Sequence, residues 1–219
     1  MVRNLLILML LSGSVLAQHT DNKPDSDEQK EEEDLPREVF ILKRGVNEWG
    51  VWGAISIKSR TPIGRTIYRT TWLAGIRYGR VVGVKLRTAF EYTLDFVPME
   101  LVLNDEGGPP SEDGVIPTQD VYGFGFWPAG IKFSWWRKNR IRPFLGINGG
   151  MVFFSKPVPF EGRRLNIAGN LDAGIQFQVG ERGAITAAYK YHHVSNAYTA
   201  ERNVGTNVNM LMVGYSILK

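Results

Sequence analysis

Apolar and polar residues alternate with a period of two through most of the chain, and this pattern constrains the fold more than any other feature. It is clearest over residues 165–179, where the odd positions are Leu, Ile, Gly, Leu, Ala, Ile, Phe and Val. The even positions include Asn, Asp and Gln, and residues 84–96 alternate in the same way. Because neighbouring side chains on a strand point to opposite faces, each segment is predicted to be a strand with one apolar face.

Repetition of this pattern predicts eight strands and two kinds of link between them. The strands are expected at 48–58, 68–79, 84–96, 121–136 (bulged at Pro128), 141–154, 165–179, 184–195 and 207–218. Short links at 80–83, 137–140 and 180–183 alternate with longer ones at 59–67, 97–120, 155–164 and 196–206. Short turns at one end, longer loops at the other and an even strand count are typical of a bacterial outer-membrane barrel.

Alternation does not by itself show which face of the barrel is outside. A soluble, lipocalin-like barrel would enclose the apolar rows and expose the charged ones. The apolar rows include Trp72, Phe90 and Phe177, whose bulk would crowd the interior of a small barrel. The opposite rows carry charges able to pair inside: Arg69, Arg77, Lys85, Arg87 and Lys190 with Glu91, Asp95 and Asp172. We therefore predict an all-β, eight-stranded antiparallel transmembrane β-barrel of outer-membrane type.

The N-terminal residues divide into two segments that precede the barrel. Residues 1–17, with Arg3 before the apolar run from Leu5 to Leu11, have the pattern of a cleaved export signal. Residues 18–37 hold eight acids and three bases and are predicted to be a disordered acidic tail. The predicted barrel, residues 38–219, holds 22 bases and 14 acids, which favours an anionic partner. The export signal argues against nucleic acid, and the absence of cysteine excludes disulfide and thiol chemistry.

A histidine and a serine lie two residues apart near the end of the predicted strand 184–195. These residues, His193 and Ser195, therefore share one face of the strand. Their parity is that of the apolar row, whereas His192 and Lys190 have the parity of the interior. We expect His193 and Ser195 to lie on the outer wall at the extracellular end of the barrel. Such residues are either ordinary interfacial polar groups or members of a site.

These residues belong to a longer pattern that resembles a known family. His193-x-Ser195-Asn196-Ala197, followed by Gly205-x-Asn207, is similar to the outer-membrane lipid A 3-O-deacylases of the acyloxyacyl-hydrolase type. Similarity extends to Gly123-x-Gly125-x-x-Pro128-x-Gly130 and to Arg142-Pro143 with Gly146-x-x-Gly149-Gly150. The resemblance implies an esterase on the outside of an outer-membrane barrel. Its partner would be lipid A, from which it would release the acyl chain at position 3 in the outer leaflet.

The resemblance also implies a role for each residue of the pattern. Ser195 would be the nucleophile, and His193 would be the general base. Asn196 and Ala197 would supply donors to the oxyanion. Where the family has a glutamate, this chain has Asn207, whose amide oxygen can orient imidazole but adds no negative charge; Glu201 is the alternative third member. This chemistry requires neither a cofactor nor a metal.

Other interpretations of the sequence remain open. A non-enzymatic structural or adhesive barrel with a decayed site, or a soluble periplasmic lipid-binding barrel, would show the same alternation. The acids of the longest loop are a weaker candidate for a Ca²⁺ site, although such acids are usually only solvated: Asp105, Glu106, Glu112 and Asp113. Trp135 and Trp136 are predicted to anchor a periplasmic turn at the membrane interface.

Overall fold

The computed structural model describes residues 39–57, 70–158, 160–199, 203 and 205–219. Within these residues eight antiparallel strands follow one another in chain order and form a closed barrel, which confirms the predicted fold class. The strands are β1 (Asn47–Ser56), β2 (Thr70–Lys85), β3 (Thr88–Glu106), β4 (Thr118–Trp135), β5 (Ile141–Val158), β6 (Arg163–Val179), β7 (Gly183–Ser195) and β8 (Thr206–Leu218). No helix in this part of the chain is long and apolar enough to cross a bilayer.

Several predictions concern residues outside the described part of the chain. They are the export signal at 1–17, the acidic tail at 18–37, the loop at 59–67, the interior position of Arg69 and the alternative site residue Glu201. These remain predictions.

The apolar rows face outwards, as the alternation predicts. On β6, Leu171, Ile175 and Phe177 are exposed, whereas Asp172 and Gln176 between them are buried in the barrel. The predicted bulge at Pro128 is also present, since the β4–β5 register shifts between Phe126 and Ala129. Short turns follow β2, β4 and β6, and by the usual pattern of outer-membrane barrels we assign that end to the periplasm and the opposite end to the cell exterior.

The middle of the interior is filled by paired charges. Arg77 Nε lies 2.8 Å from Asp95 Oδ1, and its Nη2 lies 3.2 Å from Asp172 Oδ2. Lys190 Nζ lies 2.6 Å from Asp172 Oδ1. These ion pairs join residues of the inward-facing rows, whose charges the sequence predicts to pair inside the barrel. Buried charges require such partners because leaving one unpaired is costly in a low dielectric.

A second interior group lies nearer the periplasmic end. The sequence predicts an interior position for Glu91, which the structure shows, but not its association with Lys132 and Glu48. Lys132 Nζ contacts Glu48 at 2.7 Å and Glu91 at 2.8 Å. The Gln176 amide donates to Glu48 at 2.8 Å, and the Ser134 hydroxyl donates to Glu91 at 2.5 Å. One ammonium therefore joins carboxylates from β1 and β3 to β4, which ties three strands together across the barrel.

The predicted turn at 80–83 is wrong. β2 continues to Lys85, and the chain reverses at Leu86 and Arg87, where Leu86 has a positive φ of 53°. Gly83 instead lies at a register shift between Val81 and Gly83, so this glycine accommodates a β-bulge. The prediction that Lys85 and Arg87 point into the barrel is consequently also wrong, since both are exposed beside the turn.

Two predicted loops are shorter than expected because strands extend into them. β3 continues to Glu106 and β4 begins at Thr118, so most of 97–120 is paired. β5 likewise continues to Val158. Pro98 lies at the register shift between Val97 and Glu100, where a missing N–H is tolerated. Pro98 therefore lies at a bulge within β3, at a position where the sequence pattern predicted a loop.

The segment before β1 packs into the periplasmic end of the barrel. Leu42 is 1% exposed and forms an apolar cluster with Val46, Val81, Ala89 and Leu218. The Leu42 N–H donates to the Arg137 carbonyl at 3.1 Å. The buried Arg142 donates to the Phe40 carbonyl at 3.1 Å. Residues 39–46 therefore form an N-terminal plug, held by both apolar contacts and hydrogen bonds.

Candidate active site

His193 and Asn207 are directly opposed on the last hairpin of the barrel. The β7–β8 register pairs them, and His193 Nδ1 lies 2.7 Å from Asn207 Oδ1. The Tyr191 hydroxyl donates to the same oxygen at 2.6 Å. An oxygen that accepts both bonds places the proton of a neutral imidazole on Nδ1. The Nε2 lone pair is then directed away from Asn207, in the tautomer that a general base requires.

Ser195 is the last residue of β7 and lies on the same face as His193. Ser195 is 8% exposed and Asn207 is 5% exposed, while His193 is half-buried. Among the contacts of the described residues, no hydrogen bond joins Ser195 to His193. In ligand-free active sites the hydrogen bond between nucleophile and base often forms only when substrate binds.

The chain turns sharply immediately after Ser195. Ala197 and Tyr198 have φ values of 50° and 62°, which side chains larger than glycine seldom adopt. Asn196 is 2% exposed and stabilises this turn. Its Oδ1 accepts the Tyr198 N–H at 3.0 Å, and its carbonyl accepts the Thr199 N–H at 3.0 Å. The two predicted oxyanion residues thus belong to a strained turn fixed beside the serine, an arrangement common at functional sites.

Gly205 lies against the imidazole of His193. A Cβ at position 205 would lie 2.8 Å from His193 Cε1, closer than real Cβ atoms approach. Glycine at this position therefore lets the ring lie over the start of β8. This contact supplies a physical reason for the Gly205-x-Asn207 spacing of the sequence.

A row of small residues crosses the outer wall beside His193. The register from β4 to β7 pairs Ala129 with Gly149, Gly149 with Gly169, and Gly169 with His193. A Cβ at Gly169 would meet no atom within 4 Å, so the surface there is open. Exposed apolar residues flank this row above (Phe126, Met151, Ile167) and below (Ile131, Ile147, Leu171). We infer a shallow depression from the small size of these side chains and call the row the small-residue groove; it runs from His193 across β6, β5 and β4.

Two contacts of this region were not predicted from the sequence. They are the Tyr191–Asn207 bond and a parallel bond from the Tyr189 hydroxyl to Asn209 Oδ1 at 2.5 Å. The sequence does show the residues involved: Tyr189 and Tyr191 lie two positions apart on β7, and Asn207 and Asn209 lie two positions apart on β8. Recognising it requires the β7–β8 register, which places tyrosine diagonally to asparagine.

The second histidine of the pair lies inside the barrel, as its parity predicts. His192 Nε2 lies 3.0 Å from Glu100 Oε1, and its Nδ1 lies 2.7 Å from Asn170 Oδ1. Both ring nitrogens are therefore engaged with β3 and β6. His192 braces β7 from the inside, at the level where His193 lies outside.

The acids proposed as a Ca²⁺ site whose side chains are described lie in different environments. Asp105 is buried at the end of β3, whereas Glu112 and Asp113 are exposed in the loop that follows. Among the described residues, no group of three or more His, Cys, Asp or Glu side chains is arranged to hold a metal ion.

The fold and these residues define a class of protein: an outer-membrane β-barrel with a His–Asn pair and a serine on its outer wall. The family model described as lipid A 3-O-deacylase (PagL) matches residues 74–216. This match covers more than half of the chain, and the chain therefore belongs to the lipid A 3-O-deacylase family, a family of ester hydrolases in the outer membrane. A search of curated proteins found no match to this chain.

The solved structures to which this chain is similar are distant from it in sequence. The crystal structure of the outer membrane enzyme PagL is 16% identical, with a TM-score of 0.57; the alignment covers 77% of this chain and 98% of PagL. Neisserial surface protein A (NspA) is 14% identical over 78% of this chain and 95% of its own, with a TM-score of 0.45. OprG from Pseudomonas aeruginosa is 10% identical over 81% and 97%, also with a TM-score of 0.45. The likeness to PagL supports the barrel fold.

Proposed function

We propose that this chain hydrolyses the ester that joins an acyl chain to position 3 of lipid A in the outer leaflet. Ser195 acts as nucleophile, His193 as base and Asn207 as the group that orients the base. The observation that carries the proposal is the 2.7 Å contact between His193 Nδ1 and Asn207 Oδ1. It selects the tautomer whose Nε2 accepts a proton, on the face of β7 that also bears Ser195.

The first half of the reaction transfers the acyl group to the protein. Nε2 of His193 takes the proton of the Ser195 hydroxyl as Oγ attacks the ester carbonyl carbon. Donors of the 196–197 turn stabilise the negative oxygen of the tetrahedral intermediate. The bond from that carbon to the lipid A oxygen then breaks, and the imidazolium gives its proton to the departing oxygen. The products are a lipid A hydroxyl and an acyl-serine.

The second half releases the acyl chain. A water molecule loses a proton to Nε2 of His193 as it attacks the acyl-serine carbonyl. Collapse of the intermediate breaks the bond to Ser195 Oγ, which recovers the proton from the imidazolium. The free fatty acid leaves, and Ser195 and His193 return to their initial protonation states.

The amide of Asn207 provides part of what a carboxylate provides. Its oxygen fixes the imidazole orientation, but it carries no formal charge to stabilise the imidazolium. The Tyr191 hydroxyl on the same oxygen limits rotation of the amide. Glu201, which lies outside the described residues, remains the alternative third member.

The small-residue groove supplies a place for the acyl chain. Rows of exposed apolar side chains flank it, and at Gly169 it is open to the membrane. Three strand spacings separate Ala129 from His193, or about 14 Å at ~4.8 Å per strand. An acyl chain lying there would bury apolar surface on both sides while its ester remained beside His193.

Mass spectrometry of lipid A tests this proposal. Refolded protein in detergent is incubated with lipopolysaccharide, beside a Ser195→Ala variant that shows the same heat-dependent gel mobility. Loss of one ester-linked acyl chain with the wild type alone is the expected result. Equal loss with both proteins would rule out Ser195 as nucleophile. No loss with either would leave the structural or adhesive barrel as the function.

A further inference from the structure

Two cations lie on the outer wall at the periplasmic boundary, far from the active site. The Asn47 N–H donates to the Lys219 carbonyl at 2.7 Å, and Asn47 is paired with Arg80 in the β1–β2 register. These three residues thus form a row from the end of β8 across β1 to β2. Arg80 and Lys219 are exposed. The Arg80 guanidinium donates to Asn47 Oδ1 at 3.0 Å, which holds it against the wall of the barrel.

An aromatic pair lies directly above this row. The Trp49 and Tyr78 rings are 4.9 Å apart between centroids, and the Tyr78 hydroxyl donates to Asn47 Oδ1 at 2.8 Å. Trp49 is 52% exposed. Two residues further into the membrane on the same strands are the exposed Val51 and Ile76. The wall therefore changes from aliphatic to aromatic to cationic towards the periplasm, as a phospholipid changes from chains to glycerol to phosphate.

The charge around the row favours an anionic lipid over a zwitterionic one. The other exposed basic residues at the described periplasmic end are Lys43, Arg44, Lys85, Arg87, Arg140 and Arg182. Among the described residues at this end, Glu181 is the one exposed acidic residue. The described extracellular end is mixed, with Glu112, Asp113, Asp120 and Glu161 beside Lys156, Arg163 and Arg164. The positive field of the described residues thus faces the inner leaflet.

We propose that Arg80, Asn47 and Lys219, beneath Trp49 and Tyr78, bind the phosphodiester headgroup of an anionic phospholipid in the inner leaflet. Arg80 and Lys219 approach the phosphate from the two sides of Asn47, and the acyl chains lie along Val51 and Ile76. Arginine suits this role because its planar guanidinium can donate two bonds to one phosphate. The site is independent of the proposed hydrolysis, since it lies at the opposite end of the barrel.

Native mass spectrometry of the full chain tests the site. The protein is released from mixed micelles that contain phosphatidylglycerol and phosphatidylethanolamine with identical chains. The wild type is expected to retain phosphatidylglycerol over phosphatidylethanolamine by roughly tenfold. Equal retention of the two lipids by the wild type would overturn the proposal.

A pair of matched variants separates a site from a general field. Arg80→Gln/Lys219→Gln is expected to abolish the preference, whereas Lys85→Gln/Arg87→Gln, which removes the same charge from the neighbouring turn, is expected to keep it. Equal loss in both variants would show a diffuse charge effect and contradict the site. Heat-dependent gel mobility confirms that each variant is folded.

A soluble competitor distinguishes a lipid from a free phosphodiester. Glycerophosphoglycerol, the headgroup without chains, is added at millimolar concentration to the wild-type complex. Retention of phosphatidylglycerol is expected, because the chains contribute contacts with the wall. Displacement by the headgroup alone would assign the row to small anions and overturn the lipid site.

Discussion

The Nδ1 atom of His193 lies 2.7 Å from the Oδ1 atom of Asn207, its directly opposed partner on β8. The proposed base and the residue proposed to orient it are thus neighbours within one hairpin, and no other strand is needed to bring them together. Opposed residues on antiparallel strands have Cβ atoms about 5 Å apart, which suits a direct bond between short side chains.

Replacing Asn207 tests whether its amide orients the base. Asn207→Ala is expected to lower kcat about a hundredfold with little change in KM, because the imidazole loses its fixed orientation. Asn207→Glu is expected to match or exceed the wild type, since a carboxylate also stabilises the imidazolium. Steady-state deacylation rates give both values. If kcat is unchanged in Asn207→Ala, another residue must orient the imidazole of His193. Glu201→Gln is then the next variant to measure.

A methyl group at position 205 should displace the imidazole. Gly205→Ala places a Cβ 2.8 Å from His193 Cε1, so the ring must move. We expect kcat/KM to fall about a hundredfold while the barrel still folds. Gly53→Ala is the control, because its Cβ would meet only the Leu73 carbonyl at an ordinary 3.7 Å. Equal activity of the two variants would show that the ring need not occupy this position.

Filling the small-residue groove should affect long acyl chains selectively. Gly169→Leu is expected to lower kcat/KM for lipid A at least tenfold while leaving hydrolysis of a soluble acetate ester nearly unchanged. Gly53→Leu adds the same bulk to the outward face of β1 and is expected to change neither rate. Parallel loss on both esters in Gly169→Leu would indicate damage to the catalytic residues rather than a blocked groove.

Removing the ammonium of Lys132 should destabilise the barrel. Lys132→Met leaves Glu48 and Glu91 buried without their shared cation, at a cost of about 3–5 kcal/mol. Urea unfolding in lipid vesicles, followed by tryptophan fluorescence, measures this loss. Lys85→Met, at the exposed turn, is expected to stay within about 0.5 kcal/mol of the wild type. A stable Lys132→Met barrel would mean that the carboxylates find other partners.

Alternation was sufficient to predict β6 and β7 because the outward row of each strand holds most of its bulky apolar and aromatic residues. The same parity placed His192 inside and His193 outside, where the structure shows them. The predicted strand ends near Gly83 and Pro98 were wrong, because glycine and proline usually interrupt strands in soluble proteins. In this barrel both are accommodated at β-bulges, and the strand continues beyond each.

Contacts between distant strands were beyond the reach of the sequence pattern. Parity predicts that Arg77 and Asp172 point inwards, but their 3.2 Å contact depends on the curvature that brings β2 and β6 together. The Tyr191–Asn207 bond likewise depends on the β7–β8 register. The sequence patterns predict which face a residue occupies, whereas partners across the barrel follow from its closure.

The N-terminal plug and the interior ion pairs bear on how many copies of this barrel a cell can carry. The outer membrane protects the cell by admitting small solutes only through dedicated channels. A barrel whose described interior is filled with paired charges, and whose periplasmic end is packed around Leu42, offers such solutes no ready route. The proposed active site lies on the outside wall, so on this proposal enzyme abundance can rise without weakening the permeability barrier.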